Sequence, residues 1–236
     1  MSSRAELLSI IVPVYNEVRT VLAVIDRLQA IDLPVAREII VINDGSTDGT
    51  REVLDTTGAR DSGSGIRIIH VHPNAGKGAA IRRGFDEARG TIVAIQDADL
   101  ELDPQQLSSL VMPIVRGEAD VVYGSRFLAG RTAAPWITIA ANRALTATTN
   151  VLFGSSITDM ETCYKIMRAE VARSLNLDAN RFDIEPQITA RLLRGGHRIH
   201  ELPVKFDPRS RAQGKKIGWR DGVRAMEVLV TERFRR

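Results

Sequence analysis

An apolar run at residues 92–95 stops abruptly at Asp97 and Asp99, with a third carboxylate at Glu101. A short run without polar alternation suits a strand covered on both faces, as in a parallel sheet. Similar runs at residues 8–14, 38–42 and 66–71 precede it. Helix-type patterns separate them, at residues 17–30, from Thr47 or Asp48 to about 57, and at 77–88. Repeated strand–helix units of this length predict an α/β chain with a mostly parallel sheet, helices on its faces and right-handed crossovers.

In such a sheet the carboxyl ends of the strands face the ligand crevice, and here each carries polar residues. The first strand leads into Pro13, Tyr15 and Glu17, the second into Asp44 and a Gly-Ser-Thr-Asp-Gly run, the third into Asn74-Ala75-Gly76-Lys77-Gly78. Glu17 and Asp44 can accept hydrogen bonds from a base or ribose, and Tyr15 can lie against a base. The fourth strand ends in Asp97-Ala98-Asp99. Its carboxylates are hard ligands of the kind Mg²⁺ or Mn²⁺ prefers. A lone Asp-x-Asp also reads as a solvated strand end before a helix cap. Four decorated strand ends on one edge favour a binding crevice. The glycines around Lys77 match neither a dinucleotide fingerprint nor a P-loop. They suit an anion at a helix start or a turn that needs close backbone approach.

The second half is less regular. Asp103-Pro104 opens a helix, residues 120–123 read as a strand ending in Gly124-Ser125-Arg126, and residues 137–152 and 184–194 read as helices. Residues 158–162 form a polar turn, 198–204 a strand and 219–234 a terminal amphipathic helix. Residues 61–65 read as a glycine-serine loop. The whole chain, residues 1–236, is expected to be one domain, with a nucleotide-binding half at 1–101 and an acceptor-binding half at 102–236.

Charge separates the halves. From Lys205 onward there are ten Lys/Arg against four Asp/Glu, so the rest of the +3 chain carries about −3. A basic tail meets nucleic acid, an anionic membrane or a phosphorylated substrate. Aromatic residues make up only 5% and no nucleic-acid-binding signature is present, so nucleic acid is set aside. A single cysteine, Cys163, excludes an internal disulfide, reads as a small buried hydrophobe and agrees with a reducing compartment. The pairs His70/His72 and His197/His200 lack the company of a zinc site and read as structural. No stretch reaches the roughly 18 apolar residues of a membrane span, and the start does not read as a signal peptide. The expectation is a cytoplasmic protein, peripheral to a membrane if it meets one. In the terminal helix, Met226, Val228, Leu229 and Val230 form either a core face or, beside Arg224, Arg233, Arg235 and Arg236, an interfacial one.

Residues 12–17, 41–50, 74–78 and Asp97-Ala98-Asp99, taken in order, resemble the inverting family 2 glycosyltransferases of the GT-A fold. Within them the resemblance is greatest to the polyprenyl-phosphate sugar synthases of the dolichyl-phosphate mannose synthase type. Gly124-Ser125-Arg126, residues 159–165 and residues 209–216 extend it nearly to the end of the chain. The resemblance implies a nucleotide-sugar donor of GDP- or UDP-hexose type, a polyprenyl phosphate acceptor and a divalent metal. Pro13, Tyr15, Glu17 and Asp44 would hold the nucleoside. Lys77, Asp97, Ala98 and Arg126 would complete the donor site. Asp99 would ligate the metal, assisted by Glu101. Lys165, Arg209, Lys215 and Lys216 would line the phosphate and acceptor region with Arg126. Glu101 stands where many relatives of the mannose synthase type have Gln, and residues 161–165 depart from the Gly-Phe-Arg type common among them.

A diphosphate leaving group gains charge as its glycosidic bond breaks, so cations near Asp99 would stabilise it. A phosphate acceptor, with its second pKa near 6, is already nucleophilic at neutral pH. A hydroxyl acceptor, on a glycan or a small molecule, would need a carboxylate base, for which Asp159 or Glu161 is the candidate. A nucleotide-sugar-binding module without turnover is a further alternative, and an intact Asp-x-Asp argues against it.

Overall fold

The computed structural model describes residues 6–60, 65–130, 134–209 and 218–235. Residues 61–64 of the expected glycine-serine loop, Lys215, Lys216 and Arg236 lie outside them. The first strand, β1 (Leu7–Val14), is buried along nearly its whole length, as its unbroken apolar run requires. It pairs in parallel with β2 (Ala36–Asp44) on one side and β4 (Ile92–Ile95) on the other, and β3 (Ile66–Val71) pairs in parallel with β2. The helices between them are α1 (Val21–Ala30), α2 (Thr50–Arg60) and α3 (Lys77–Glu87). The apolar face of α1, formed by Val21, Val24, Ile25 and Leu28, is buried. The strand–helix alternation of the first half therefore stands as expected.

A 3₁₀ turn (Pro104–Gln106), with the Asp103 carboxylate accepting from the Gln105 amide, leads into α4 (Leu107–Val115). β5 (Val121–Ser125) follows, then α5 (Trp136–Phe153), β6 (Lys165–Arg168), α6 (Ala169–Ser174), α7 (Ile184–Arg194), β7 (Ile199–Pro203) and α8 (Trp219–Phe234). The sheet order is β3-β2-β1-β4-β6-β5-β7. β6 lies antiparallel between β4 and β5, and β7 pairs in parallel with β5. One sheet thus runs through both halves of the chain, and β6 is its reversed strand. That reversal brings the beginning of β6 to the edge where the other strands end, with Lys165 opposite Tyr123 and Ile166 opposite Ala94.

The main core follows the sheet and its covering helices. A smaller one, made of Leu145, Ile157, Met160, Ala190, Ala225 and Leu229, joins α5, α7 and α8. The terminal helix divides its apolar residues accordingly. Ala225 and Leu229 are buried and Met226 packs beside them, whereas Val223, Val230 and Phe234 are exposed. Its basic residues are largely engaged within the protein: Arg224 meets Asp183 at 2.8 Å, and Arg235 meets Asp178 and the buried Glu232 at 3.0 Å each. Arg191 of α7 holds Glu232 as well, at 2.7 Å.

Candidate active site

The loops after β1 and β2 are laced together by their own polar residues. Asn16 donates its amide to Ser46 Oγ (2.9 Å) and accepts from the Thr47 amide (2.8 Å). The Glu17 amide donates to Thr50 Oγ1 at 3.0 Å. Asp48 caps α2 by accepting from the Thr50 amide (3.0 Å) and reaches across to the Val18 amide (3.2 Å). Much of the Gly-Ser-Thr-Asp pattern therefore builds the loop that carries Glu17 and Tyr15. Pro13 is buried within β1, and Tyr15 stands half-exposed just beyond it.

Asp44 is buried at the end of β2 and turned into the next loop. Its carboxylate accepts from Asn74 Nδ2 (2.8 Å) and from the amides of Ala75 (2.9 Å) and Gly76 (2.7 Å). This makes it the anchor of residues 74–76. Gly76 has φ +100°, and a side chain there would collide with the Asn180 carbonyl. Its neighbour Lys77 begins α3, and a Cβ at Gly78 would lie 2.5 Å from the Ala179 carbonyl oxygen. The glycines thus serve close backbone approach, one of the two readings of that motif.

Beyond β4, Gln96 is fully buried and shapes the acidic loop by donating to the carbonyls of Asp97 (3.0 Å) and Leu102 (3.3 Å). The Tyr164 hydroxyl holds Gln96 Oε1 at 2.7 Å and lies 2.8 Å from the Asp103 carbonyl. Asp97 and Asp99 then diverge. Asp97 pairs with Lys77 Nζ at 2.8 Å, and Lys77 also meets Glu185 of α7 at 3.0 Å. Burial works against both charges, but their attraction prevails. Asp97 lies below the usual carboxylate range, and Asp97 and Glu185 hold Lys77 well above the usual ammonium range. Burial and the charge of Asp97 push Asp99 the other way, to about 7, against the pull of Arg209.

Arg209 gathers the remaining carboxylates. Its guanidinium lies 2.9 Å from Glu17, 2.9 Å from Asp99 and 3.9 Å from Glu101. It arrives on a strap following β7 that is docked on the acidic loop. Leu102 bridges to Phe206, the Asp207 amide donates to the Glu101 carbonyl (2.9 Å) and the Arg209 amide donates to Glu101 Oε1 (2.8 Å). Glu101 is therefore an anchor for this strap, and its carboxylate is a hard oxygen donor of the kind Mg²⁺ prefers.

Glu17, Asp97, Asp99 and Glu101 face two cations, Lys77 and Arg209. Burial first, and then the neighbouring charges of Asp97 and Glu101, raise the pKa of Asp99. Hard oxygens in surplus fit Mg²⁺ or Mn²⁺. Among the described residues no three metal-type side chains converge on one point. The arrangement instead suits a cation held by one or two carboxylates and completed by substrate phosphates and water.

Two other expected residues, Arg126 and Asp159, are brought together with each other. Arg126 grips Asp159 through Nε and Nη2, both at 2.7 Å, and its amide donates to the same carboxylate at 2.9 Å. Asp159 is fully buried, with both oxygens engaged, so the base role expected of it has no free oxygen behind it. Lys165 needs a correction. It is fully buried, bonded to Glu185 (2.5 Å), the Met160 carbonyl (3.1 Å) and the Thr162 carbonyl, and therefore lines no open acceptor surface. Glu185, which links Lys77 to Lys165, was not foreseen. In sequence it reads as an acidic residue in a first helical turn, where the helix dipole alone accounts for it. Ala98 and Cys163 are buried, and burial raises the thiol pKa well above its usual value, in keeping with a packing role. His70 bridges Asn43 and Asp55, at 2.9 Å each, as a structural residue.

The mostly parallel sheet with one reversed strand, gathering carboxylates and basic residues at its carboxyl edge, has the GT-A fold. Residues 9–175 match the family described as Glycosyl transferase family 2, and the chain belongs to that family. It is 30% identical over 217 residues to the polyprenol monophosphomannose synthase of Mycolicibacterium smegmatis, covering 89% of this chain and 80% of that one. It is 31% identical over 216 residues to the undecaprenyl-phosphate mannosyltransferase of Micrococcus luteus, covering 88% and 86%. Glycosyltransferase AglD of Haloferax volcanii is 31% identical over 85% of this chain, which spans about a third (33%) of that protein's length. In fold, the chain is similar to glucosyl-3-phosphoglycerate synthase from Mycobacterium tuberculosis, crystallised with Mn²⁺, UDP and glucosyl-3-phosphoglycerate. The TM-score is 0.70 at 21% identity, over 97% of this chain and 80% of that one.

Proposed function

We propose that this glycosyltransferase moves a hexose from a GDP- or UDP-sugar to a polyprenyl phosphate, inverting the anomeric carbon. The observation that carries the reading is the surplus of carboxylates at the sheet edge, with Lys77 on Asp97 and Arg209 across Glu17, Asp99 and Glu101. The lipid phosphate is supported by relatives named for polyprenyl-phosphate sugar transfer.

In this reading Pro13, Tyr15 and Glu17 border the nucleoside, and Asp44 acts through the 74–76 loop that it anchors. Lys77 keeps Asp97 ionised and oriented toward the donor sugar. Asp99, with Glu101, would hold Mg²⁺ or Mn²⁺, which supplies stabilisation of charge on the departing diphosphate. Arg209 is the chain's own cation at that point, and Lys215 and Lys216 are proposed as further acceptor contacts. Because a phosphate acceptor is largely ionised at neutral pH, the chain needs to position it more than deprotonate it. That accords with an Asp159 committed to Arg126.

No helix among the described residues is long and apolar enough to cross a membrane. The lipid would be met at the cytoplasmic surface of a membrane. The exposed apolar side chains Trp136 and Ile137 on α5, and Val223, Val230 and Phe234 on α8, are proposed as its contacts.

The test is a donor–acceptor screen of the purified chain with GDP-mannose and UDP-glucose, short polyprenyl phosphates, and Mg²⁺ or Mn²⁺. Transfer to the lipid phosphate that disappears in Asp99→Asn supports the reading. Transfer only to hydroxyl acceptors would replace the lipid phosphate, and an Asp99→Asn variant of full activity would sink the metal assignment.

A further inference from the structure

Two segments far apart in sequence meet at the start of α3. The Ala79 amide donates to the Asn180 carbonyl at 3.1 Å, and Gly76 and Gly78 let the backbone of residues 179–180 come that close. The approach sets the first turn of α7 beside Lys77. That turn is itself held in place. Gln187 Oε1 accepts the amides of Asp178 (2.9 Å) and Ala179 (2.8 Å), and Asp183 accepts from the Arg181 amide and from Arg224 Nε, at 2.8 Å each. Glu185 is the side chain this framework brings into contact with the site.

Its two oxygens have different partners. Oε2 takes Lys165 Nζ at 2.5 Å, and Lys165 spends its other donors on the Met160 and Thr162 carbonyls. Oε1 is buried, takes no aligned hydrogen bond and faces Lys77 Nζ at 3.0 Å as a charge pair. Lys77 in turn lies 2.8 and 2.9 Å from the two oxygens of Asp97. The carboxylate thus bridges an ammonium fixed in the core and one that reaches the sheet edge. A carboxylate kept only to neutralise Lys165 would have its second oxygen hydrogen-bonded by the fold. Here that oxygen is spent on Lys77. Lysine ends a flexible four-carbon stem, and with Asp97 as its only anion the two side chains would shift together. Glu185 gives the ammonium a second anchor that does not move with Asp97, which is how a supporting residue locks a functional one.

We propose that Glu185 is a positioning residue for sugar transfer, which fixes the Asp97 carboxylate at the donor by holding Lys77 from the opposite side. This rests on the donor contact assigned to Asp97 under the proposed function. Glu185 itself touches no substrate.

Initial rates of transfer to a short polyprenyl phosphate with Mn²⁺ test it, using whichever of GDP-mannose and UDP-glucose the wild type accepts. The variants are Glu185→Gln, Lys77→Met and the two combined. Glu185→Gln should raise the donor KM about tenfold or more, since a small misplacement of a positioned group costs that much, and leave the KM for polyprenyl phosphate within about twofold. In the Lys77→Met background the same change should alter the donor KM less than about threefold, because the residue through which Glu185 acts is gone. A merely structural residue would lower the active fraction, and with it kcat, while both KM values stayed put. Lys165→Met combined with Glu185→Gln removes both members of the buried pair, should show the same rise in donor KM, and carries the test where Glu185→Gln does not fold. An unchanged donor KM in a folded variant, an equal rise in both KM values, or an undiminished effect in the Lys77→Met background would overturn the proposal alone. A wild type that transfers from neither donor would overturn the proposed function and the proposal with it.

Discussion

Lys165→Met asks whether a cation in a polar-looking run contacts ligand or holds the fold together. Lys165 Nζ is buried among Glu185 Oε2 at 2.5 Å, the Met160 carbonyl at 3.1 Å and the Thr162 carbonyl. Methionine fills much of the same volume without a charge or a donor. Removing one member of a buried ion pair costs about 3–5 kcal/mol, because the partner is left uncompensated. Glu185 keeps Lys77 at 3.0 Å, which places the expected loss near the lower end, about 3 kcal/mol. For a chain of this size that is a fall of about 6–12 °C in melting temperature. Urea unfolding of Lys165→Met, Glu185→Gln and the double variant measures it, with a coupling energy above about 1 kcal/mol expected for the pair. A Lys165→Met variant within about 0.5 kcal/mol of wild type, with a raised KM for the phosphorylated acceptor, would refute the argument and return Lys165 to the ligand surface.

Glu161 gives stability a pH dependence of definite sign. Its folded-state pKa of about 7 exceeds the ordinary 4.5, so the native state binds the extra proton and stability falls as pH rises between them. The penalty approaches about 3 kcal/mol above pH 7, and Glu161→Gln should flatten that share of the profile in melts from pH 4.5 to 8. Arg209→Ala removes the guanidinium shared by Glu17 and Asp99, so calorimetry should show Mn²⁺ binding about tenfold tighter without nucleotide, while sugar transfer falls at least tenfold. Gly76→Ala places a Cβ against the Asn180 carbonyl at φ +100°, and should destabilise the chain by about 1–3 kcal/mol in urea unfolding, with weaker nucleotide binding.

The carboxylates at the sheet edge were legible because each of them follows an apolar run. β1 leads to Glu17 and β4 to Asp97 and Asp99, and parallel pairing puts those ends together whatever the rest of the chain does. The reversed strand was not legible. Lys165–Arg168 is four residues long, has no periodicity of its own, and is assigned to the sheet by β4 and β5 on either side. The fate of Lys165 was hidden for the same reason: its counter-ion, Glu185, lies on α7 beyond a turn of β6 and α6. A lysine in a polar run looks solvent-facing until a distant carboxylate is known to be buried with it. Likewise Asp44 and Asp159 were recognisable as acidic residues at useful places. Which hydrogen bonds would consume their oxygens depended on loops that local sequence does not fix.

Glu101 shows how one carboxylate can join two parts of such a site. Its Oε1 accepts the Arg209 amide and its backbone carbonyl accepts the Asp207 amide, so the acidic loop and the strap after β7 are seated on each other. The same strap delivers the guanidinium that spans Glu17 and Asp99. A glutamine at this position could still accept from the Arg209 amide, but it would remove one of the negative charges that, after burial, raise the Asp99 pKa. The carboxylate therefore adds attraction for a second cation at the place where the strap is held. A cation that took Oε1 for itself would compete with the Arg209 amide. Its affinity and the seating of the strap are thus linked through a single oxygen, and a change in either free energy must appear in the other.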